Sequence, residues 1–334
     1  MCGEEVRVIE WRLRPEDVAR IRFAFSPLME LVFSTVALRA PGEHSLHLPW
    51  VRATRPSVAD LDLTEVFALA PVRGFIADFI SFTPTEPQPD IVSELDKIRR
   101  TDAQRVLTDI AEEVPNMPAA VAERIRADPE AAIIRIVDVL RAYWDVALAQ
   151  HWPRIRRLLE ADVLWRSQRL AAGGLQALFD DLHETVTLDG DRLLVAEPFD
   201  WTGELSGSGL TLVPYAMGWP WVRTMTGRVK PGFPHARYQP MIAYPVRGIA
   251  TLWETTPPPP PDALAALIGR TRASILTTLA EPATTTALAR RMRLTPGAIS
   301  QHLSVLNASG LVSRTRVAGT VLYRRTPRGD VLTE

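Results

Sequence analysis

The sequence predicts an α+β chain: a mainly helical N-terminal region carrying an antiparallel sheet, then a small C-terminal module of helices closed by a β-hairpin. Three observations carry this. Apolar residues recur at three- and four-residue spacing from about 90 to 183. Short alternating runs broken by Gly and Pro fill 185 to 253. After the run "TTPPPPPD", residues 255–262, capped amphipathic segments lead to two alternating stretches around Ala318-Gly319.

The totals bound the class of molecule. The chain has 334 residues, enough for two or three domains with cores of their own, and its 46% hydrophobic and 23% charged content is that of a folded globular protein. Cys2 is the single cysteine, so no intramolecular disulfide and no CxxC redox or metal site exists. The opening "MCGEEVRVIEW" has acids where a signal peptide needs bases, and the apolar run "SPLMELVFSTVAL" is short and contains Glu30. We therefore expect a cytoplasmic protein without a membrane partner. The net charge of −1 hides an asymmetry: residues 263–334 hold ten Arg and no Lys against three acids, a net of +7, while the rest carries −8. A basic terminal module suits a polyanion.

Taken in order, "VRVIEWRL" alternates as a strand, and "SPLMELVFSTVAL" reads as a helix with Ser26 as N-cap and Pro27 at its first position. "DIVSELDKIRR", "DAQRVLTDIAEEV", "PEAAIIRIVDVLRAYWDVALAQHW" and "PRIRRLLEADVLWRSQRLAAGGLQALFDDLHE" form the helical block. "TVTLDG", "RLLVAE", "LTLVPYAM" and "MIAYPVRGIATLW" are the β runs. Five consecutive prolines cannot sit inside a helix or central strand and favour an extended spacer. The domains are accordingly drawn as 1–254, a linker over 255–262, and 263–334. All nine Trp precede the linker.

In the terminal module "DALAALIG" and "RASILTTLAE" read as two short helices, and "TTTALARRMRL" as a third with Thr caps. A fourth follows in "TPGAISQHLSVLNASGLV": Thr295 caps, Pro296 takes the first position, and Ile299, Leu303 and Leu306 make one inward stripe. At about 100° per residue, Gly297, Gln301 and Ser304 then point outward, flanked by Ala298 and Ser300. Gln pairs bidentately with adenine, Ser meets several base edges, and a small residue lets the backbone approach, so this face suits a major groove. Gly310 ends the helix, and Arg314, Arg316, Arg324 and Arg325 decorate the hairpin beyond it, where guanidinium groups reach phosphates or a narrow minor groove.

These residues, "TTTALARRMRLTPGAISQHLSVLNASGLVSRTRVAGTVLYRRT", resemble the winged helix-turn-helix of ArsR-type bacterial transcription regulators over about the last 70 residues. The upstream portion resembles the uncharacterised N-terminal region joined to such a module in some actinobacterial regulators. The resemblance implies a DNA-binding regulator, most commonly a repressor, that acts as a homodimer on an inverted-repeat operator of double-stranded DNA. Metal-sensing members carry Cys or His pairs that residues 284–293 and the segment after His302 lack, so no metal or other cofactor is expected. Only "RGDVLTE" follows Pro327, too short for a stable helix of its own, which moves the expected dimer contacts upstream.

Other constellations are weaker. Tyr215, Trp219 and Trp221 in "VPYAMGWPWVRT" are candidate lining for a pocket that takes an apolar small-molecule effector, against the competing readings of core packing or subunit contact. "DDLHE" (Asp180, Asp181, His183, Glu184) has metal or acid-base residue types without a supporting spacing. His44 and His47 alternate as on a strand, and "GELSGSGL" lacks a phosphate-cradle spacing. The chain is therefore expected not to be an enzyme. The alternatives are an N-terminal enzyme domain tethered to DNA by the module, signalled by a buried cluster of carboxylates and His at the mouth of a pocket where an apolar pocket without ionisable groups would signal a sensor, and an interaction scaffold, signalled by a large exposed Trp patch with no pocket.

Overall fold

A computed structural model describes residues 7–197, 199–227, 229–230, 233–237, 239–253, 262–279, 282–317 and 320–333. The chain separates into two compact units, 1–40 with 54–247 and 41–53 with 248–334. The proline spacer expected over 255–262 lies outside the described residues except for Asp262, which already opens a helix. The membership of 41–53 in the second unit has no counterpart in the sequence reading.

The first unit begins with β1 (Val8–Arg12), α1 (Pro15–Val18), β2 (Arg22–Phe23) and α2 (Pro27–Arg39). The start of α2 is the one read from sequence: the Met29 amide donates to the Ser26 hydroxyl at 2.9 Å, with Pro27 in the first turn. A carboxylate completes this cap, since Glu94 accepts from the Ser26 hydroxyl at 2.9 Å and from the Leu28 amide at 2.8 Å. Every residue of α2 from Pro27 to Leu38 is buried, as befits a helix largely apolar on all sides, and the fully buried Glu30, its one ionisable residue in this stretch, needs partners. It accepts from the amides of Ala216 at 2.7 Å and Met217 at 2.6 Å.

After α3 (Leu48–Thr54), whose residues 48–53 belong to the second unit, and α4 (Thr64–Leu69) comes the expected helical block: α5 (Ile91–Arg99), α6 (Ala103–Glu113), α7 (Ala119–Ala127), α8 (Pro129–Ala147) and α9 (Trp152–Phe179). Asp90, Asp102 and Asp128 cap α5, α6 and α8 through their side chains. α9 is interrupted at Gly173-Gly174, where Gly174 takes φ 65°, a backbone that a Cβ disfavours.

The β runs become β3 (Val186–Asp189), β4 (Arg192–Ala196), β5 (Trp201–Glu204), β6 (Thr211–Tyr215), β7 (Arg223–Met225), β8 (Val229–Lys230), β9 (Phe233–Arg237) and β10 (Met241–Pro245). Two four-stranded sheets result, ordered β3-β4-β1-β5 and β2-β6-β10-β7. Where a single antiparallel sheet was expected, both are mixed: β1–β5, β2–β6 and β6–β10 run parallel, and β1–β4, β3–β4 and β7–β10 antiparallel. The reason is that β1 and β2, made at the start of the chain, join strands made much later, and alternation along a run does not encode the direction of its neighbour. Ile9, Trp11, Leu193, Val195, Leu212 and Ile242 form the core here together with Leu178 and Phe179 of α9.

A buried polar knot ties α9 to β10. Arg166 pairs with Asp162 at 2.9 Å, and the Tyr244 hydroxyl donates to the same carboxylate at 2.9 Å, so the buried charges are matched and hydrogen-bonded. Asp181 of the "DDLHE" stretch joins at 3.4 Å from Arg166.

The second unit holds α10 (Asp262–Ile268), α11 (Arg270–Thr278), α12 (Thr285–Met292), α13 (Pro296–Ala308), β11 (Val312–Val317), β12 (Thr320–Arg325) and α14 (Pro327–Val331). Leu264, Ile275, Leu276, Leu288, Ile299, Leu303, Leu306 and Val312 build its core. The short α14 forms where the sequence offered too few residues for independent helicity. Thr326 caps it by accepting from the Gly329 amide at 3.3 Å, and Leu332 packs on the core, so tertiary contacts supply what propensity does not.

Candidate nucleic-acid interface

The site is built on α12, a tight turn and α13. Thr284 caps α12 by accepting from the Ala287 amide at 3.1 Å. Arg293 then takes a left-handed conformation, φ 56°, and the Leu294 amide closes the turn onto the Ala289 carbonyl at 2.9 Å. Thr295 restarts the helix by accepting from the Ala298 amide at 3.2 Å, with Pro296 in the first turn as the sequence indicated.

The phase of α13 follows from its aliphatic residues. Ile299 is 0% exposed and Leu303 and Leu306 are 1% exposed, and each such burial contributes roughly 1.5–3 kcal/mol, enough to fix which way the helix faces. Thr295, Gly297, Ser300, Gln301 and Ser304 are exposed on the other side, and Ala298 is half-buried at its edge. The Ser304 hydroxyl donates to the Ser300 carbonyl at 2.9 Å, which leaves its lone pairs free to accept. Gly297 has open space around the position a Cβ would occupy. His302 lies half-buried beside the stripe.

β11 and β12 pair antiparallel from Val312↔Arg325 to Val317↔Thr320, and the tip expected at Ala318-Gly319 lies outside the described residues. This register puts Arg314 and Arg316 on one face and Arg324 on the other, all three exposed. The base of the hairpin gains a third partner, because Tyr323 and Ala283 exchange backbone hydrogen bonds of 2.9 Å in both directions. Arg325 has partners within the module: its Nε lies 2.9 Å from the Asp330 carboxylate, and its guanidinium also reaches the Thr333 hydroxyl.

Two exposed residues at this surface escaped the sequence reading. Arg293 sits in the turn between the helices, and Val305, 47% exposed, adds an apolar patch one turn beyond Gln301. The first could have been found as a cation between two capped helices, the second as an aliphatic residue out of phase with the buried stripe.

The remaining candidates fall in the first unit. Tyr215 is fully buried against Phe33 with ring centroids 5.0 Å apart, Trp219 is nearly buried, and Trp221 is 48% exposed. None of the three lines the cavity of about 360 Å³ found in this unit, whose walls include Phe33, Phe75, Phe199 and Trp201 with Glu197 and Arg223. His183 is committed to structure, with Nδ1 2.8 Å from the Thr185 hydroxyl and Nε2 3.0 Å from the Pro220 carbonyl, and its burial lowers its pKa. The glycine loop cradles an internal anion: the Gly207 amide donates to the Asp17 carboxylate at 2.7 Å. In the second unit His44 and His47 flank a 3₁₀ turn instead of a strand, and His47 Nδ1 accepts from Trp253 Nε1 at 2.9 Å. Among the described residues no group of three or more His, Cys, Asp or Glu could hold a metal ion, and no helix is long and apolar enough to cross a membrane.

Residues 93–250 match the model of a family of unknown function, DUF5937, and residues 267–315 match that of a helix-turn-helix domain. No curated protein and no solved structure matches the chain. The second match spans α11 through the first half of the hairpin and contains the whole of α12–turn–α13. The C-terminal segment is a helix-turn-helix DNA-binding domain, and it marks the chain as a DNA-binding regulator.

Proposed function

We propose that the protein is a sequence-specific transcriptional repressor of the ArsR type, a homodimer that inserts two copies of α13 into successive major grooves of an inverted-repeat operator. The observation that carries this reading is the phase of α13: its aliphatic stripe is buried in the core, leaving small and hydrogen-bonding residues on an open face. Gln301, Ser300 and Ser304 read base edges, and Gly297 and Ala298 allow close approach. Arg314, Arg316 and Arg324 contact the backbone or minor groove and supply salt-dependent affinity. Arg293 adds a phosphate contact from the turn. The N-terminal region holds the subunits together and changes the separation of the two helices when it binds an effector.

The cavity of this region, walled by aromatic and ionisable side chains, is where such an effector would bind.

The test is selection of duplexes from a random pool by the full chain, followed by sedimentation and footprinting of the selected site. The expected result is a dimer protecting two half-sites about 34–36 Å apart, one helical turn or a multiple of it. A monomer without sequence preference overturns the proposal.

A further inference from the structure

The cavity of the first unit has a chemical layout that core packing does not explain. Phe33, Phe75, Phe199 and Trp201 form aromatic walls, with Phe75 and Phe199 edge to face at 5.1 Å. A volume of about 360 Å³ lies in the range of small-molecule sites. Two charged side chains of opposite sign share these walls. The Glu197 carboxylate accepts from the Thr224 hydroxyl at 3.0 Å and makes no ion pair among the described residues. The half-buried Arg223 guanidinium makes neither a hydrogen bond nor an ion pair there, although it is always charged and has five donors to satisfy. The other carboxylates at the cavity, Asp78, Glu112 and Asp200, have interactions of their own, Asp200 accepting from the Val8 amide at 3.0 Å. Behind Phe33 the Tyr215 hydroxyl is buried without a hydrogen-bond partner, and it feels the charges of both Arg223 and Glu197. A guanidinium without a hydrogen bond or ion pair among the described residues and a carboxylate without an ion pair there, within one aromatic enclosure, are complementary to a ligand bearing both charges.

We propose that this cavity binds a zwitterionic aromatic amino acid, or a molecule with the same arrangement of groups: carboxylate on Arg223, ammonium on Glu197, and ring among the four aromatic side chains. The assignment rests on the sensor reading of the N-terminal region and deepens it. Burial raises the Glu197 carboxyl above its ordinary range, with Thr224 and Arg223 opposing the shift.

The experiment is calorimetric titration of the full chain with L-phenylalanine and three analogues. These are 3-phenylpropionate without the ammonium, 2-phenylethylammonium without the carboxylate, and 2-phenylethanol without either charge. L-phenylalanine is expected to bind about tenfold or more tightly than each analogue. Arg223→Gln should reduce it to the level of 2-phenylethylammonium, and Glu197→Gln to the level of 3-phenylpropionate. Phe75→Ala, at a residue 42% exposed, should weaken all four probes alike and serves if a polar variant fails to fold. No binding of L-phenylalanine at millimolar concentration overturns the proposal, as does an analogue that equals it in the unsubstituted protein. Binding of a random-sequence duplex is measured in parallel. Loss of duplex binding with probe heats intact defeats the regulator reading alone, and absent heats with duplex binding intact defeat the cavity assignment alone.

Discussion

Arg325 and Asp330 face each other across the junction of β12 and α14, Nε to carboxylate 2.9 Å. One of the four hairpin arginines is thereby separated from the other three, although all look equivalent in sequence. Arg324→Ala should lower duplex affinity and reduce the slope of log K against log salt by about 0.9, the share of one phosphate contact. Arg325→Ala should leave that slope unchanged and cost at most about 1 kcal/mol of stability, since Asp330 is half-exposed and such pairs are screened. Salt titrations of the two variants against one duplex check this; equal slope changes would return Arg325 to the interface.

Gly297 offers a separation of fold from recognition. It lies in the first turn of α13 with nothing within 4 Å of the place a methyl group would take, so Gly297→Ala should stabilise the free protein by up to about 1 kcal/mol. The same methyl should weaken operator binding, because the DNA needs that space. Thermal unfolding and operator affinity, measured on one preparation, are expected to move in opposite directions.

Gln301 is exposed on α13, and Gln301→Ala should leave stability within about 0.5 kcal/mol of the parent. Its effect belongs to specificity: discrimination at one base-pair position should fall by about 1–3 kcal/mol while other positions keep theirs. Competition binding against single-base operator variants reads this directly.

Glu30 supplies a pH dependence. Burial raises its pKa to about 7, against the opposing pull of the Met217 and Ala216 amides. Its unfolded value is near 4.5, so between those pH values the folded state binds more protons than the unfolded one. The contribution is complete below about pH 4.5 and is lost as pH rises through about 7. Glu94 is raised to about 7 in the same direction by its burial. Glu30→Gln should therefore flatten the fall in denaturant midpoint between pH 5 and pH 8, compared with the parent protein. A midpoint difference between the two proteins that is constant across this range would refute the assignment.

The parts of the molecule that announced themselves in sequence are those fixed by short-range chemistry. Ser26 with Pro27, Thr284, and Thr295 with Pro296 each begin a helix where their side-chain oxygens promised. The Ile299, Leu303 and Leu306 stripe is likewise a matter of spacing within one helix. What escaped depends on residues distant in the chain. Parallel pairing of β1 with β5 needs Ile9 beside Trp201, and the internal commitment of Arg325 needs a helix that only its neighbours stabilise. The aromatic guess at Tyr215, Trp219 and Trp221 found bulk but not position, because the cavity draws its wall from several separate stretches between Met29 and Met241. No spacing rule relates Glu197 to Arg223.

The grouping of residues 41–53 with 248–334 bears on how the chain is synthesised. Trp50 leaves the ribosome long before Trp253, yet in the finished protein it is 2% exposed and their rings stack with centroids 6.4 Å apart. Closing so wide a loop costs entropy, so the contact between the two rings waits until residue 253 has been made. Residues 248–334 thus act as the closing step for a stretch made much earlier, and a nascent chain arrested between the two should be the form most in need of a chaperone.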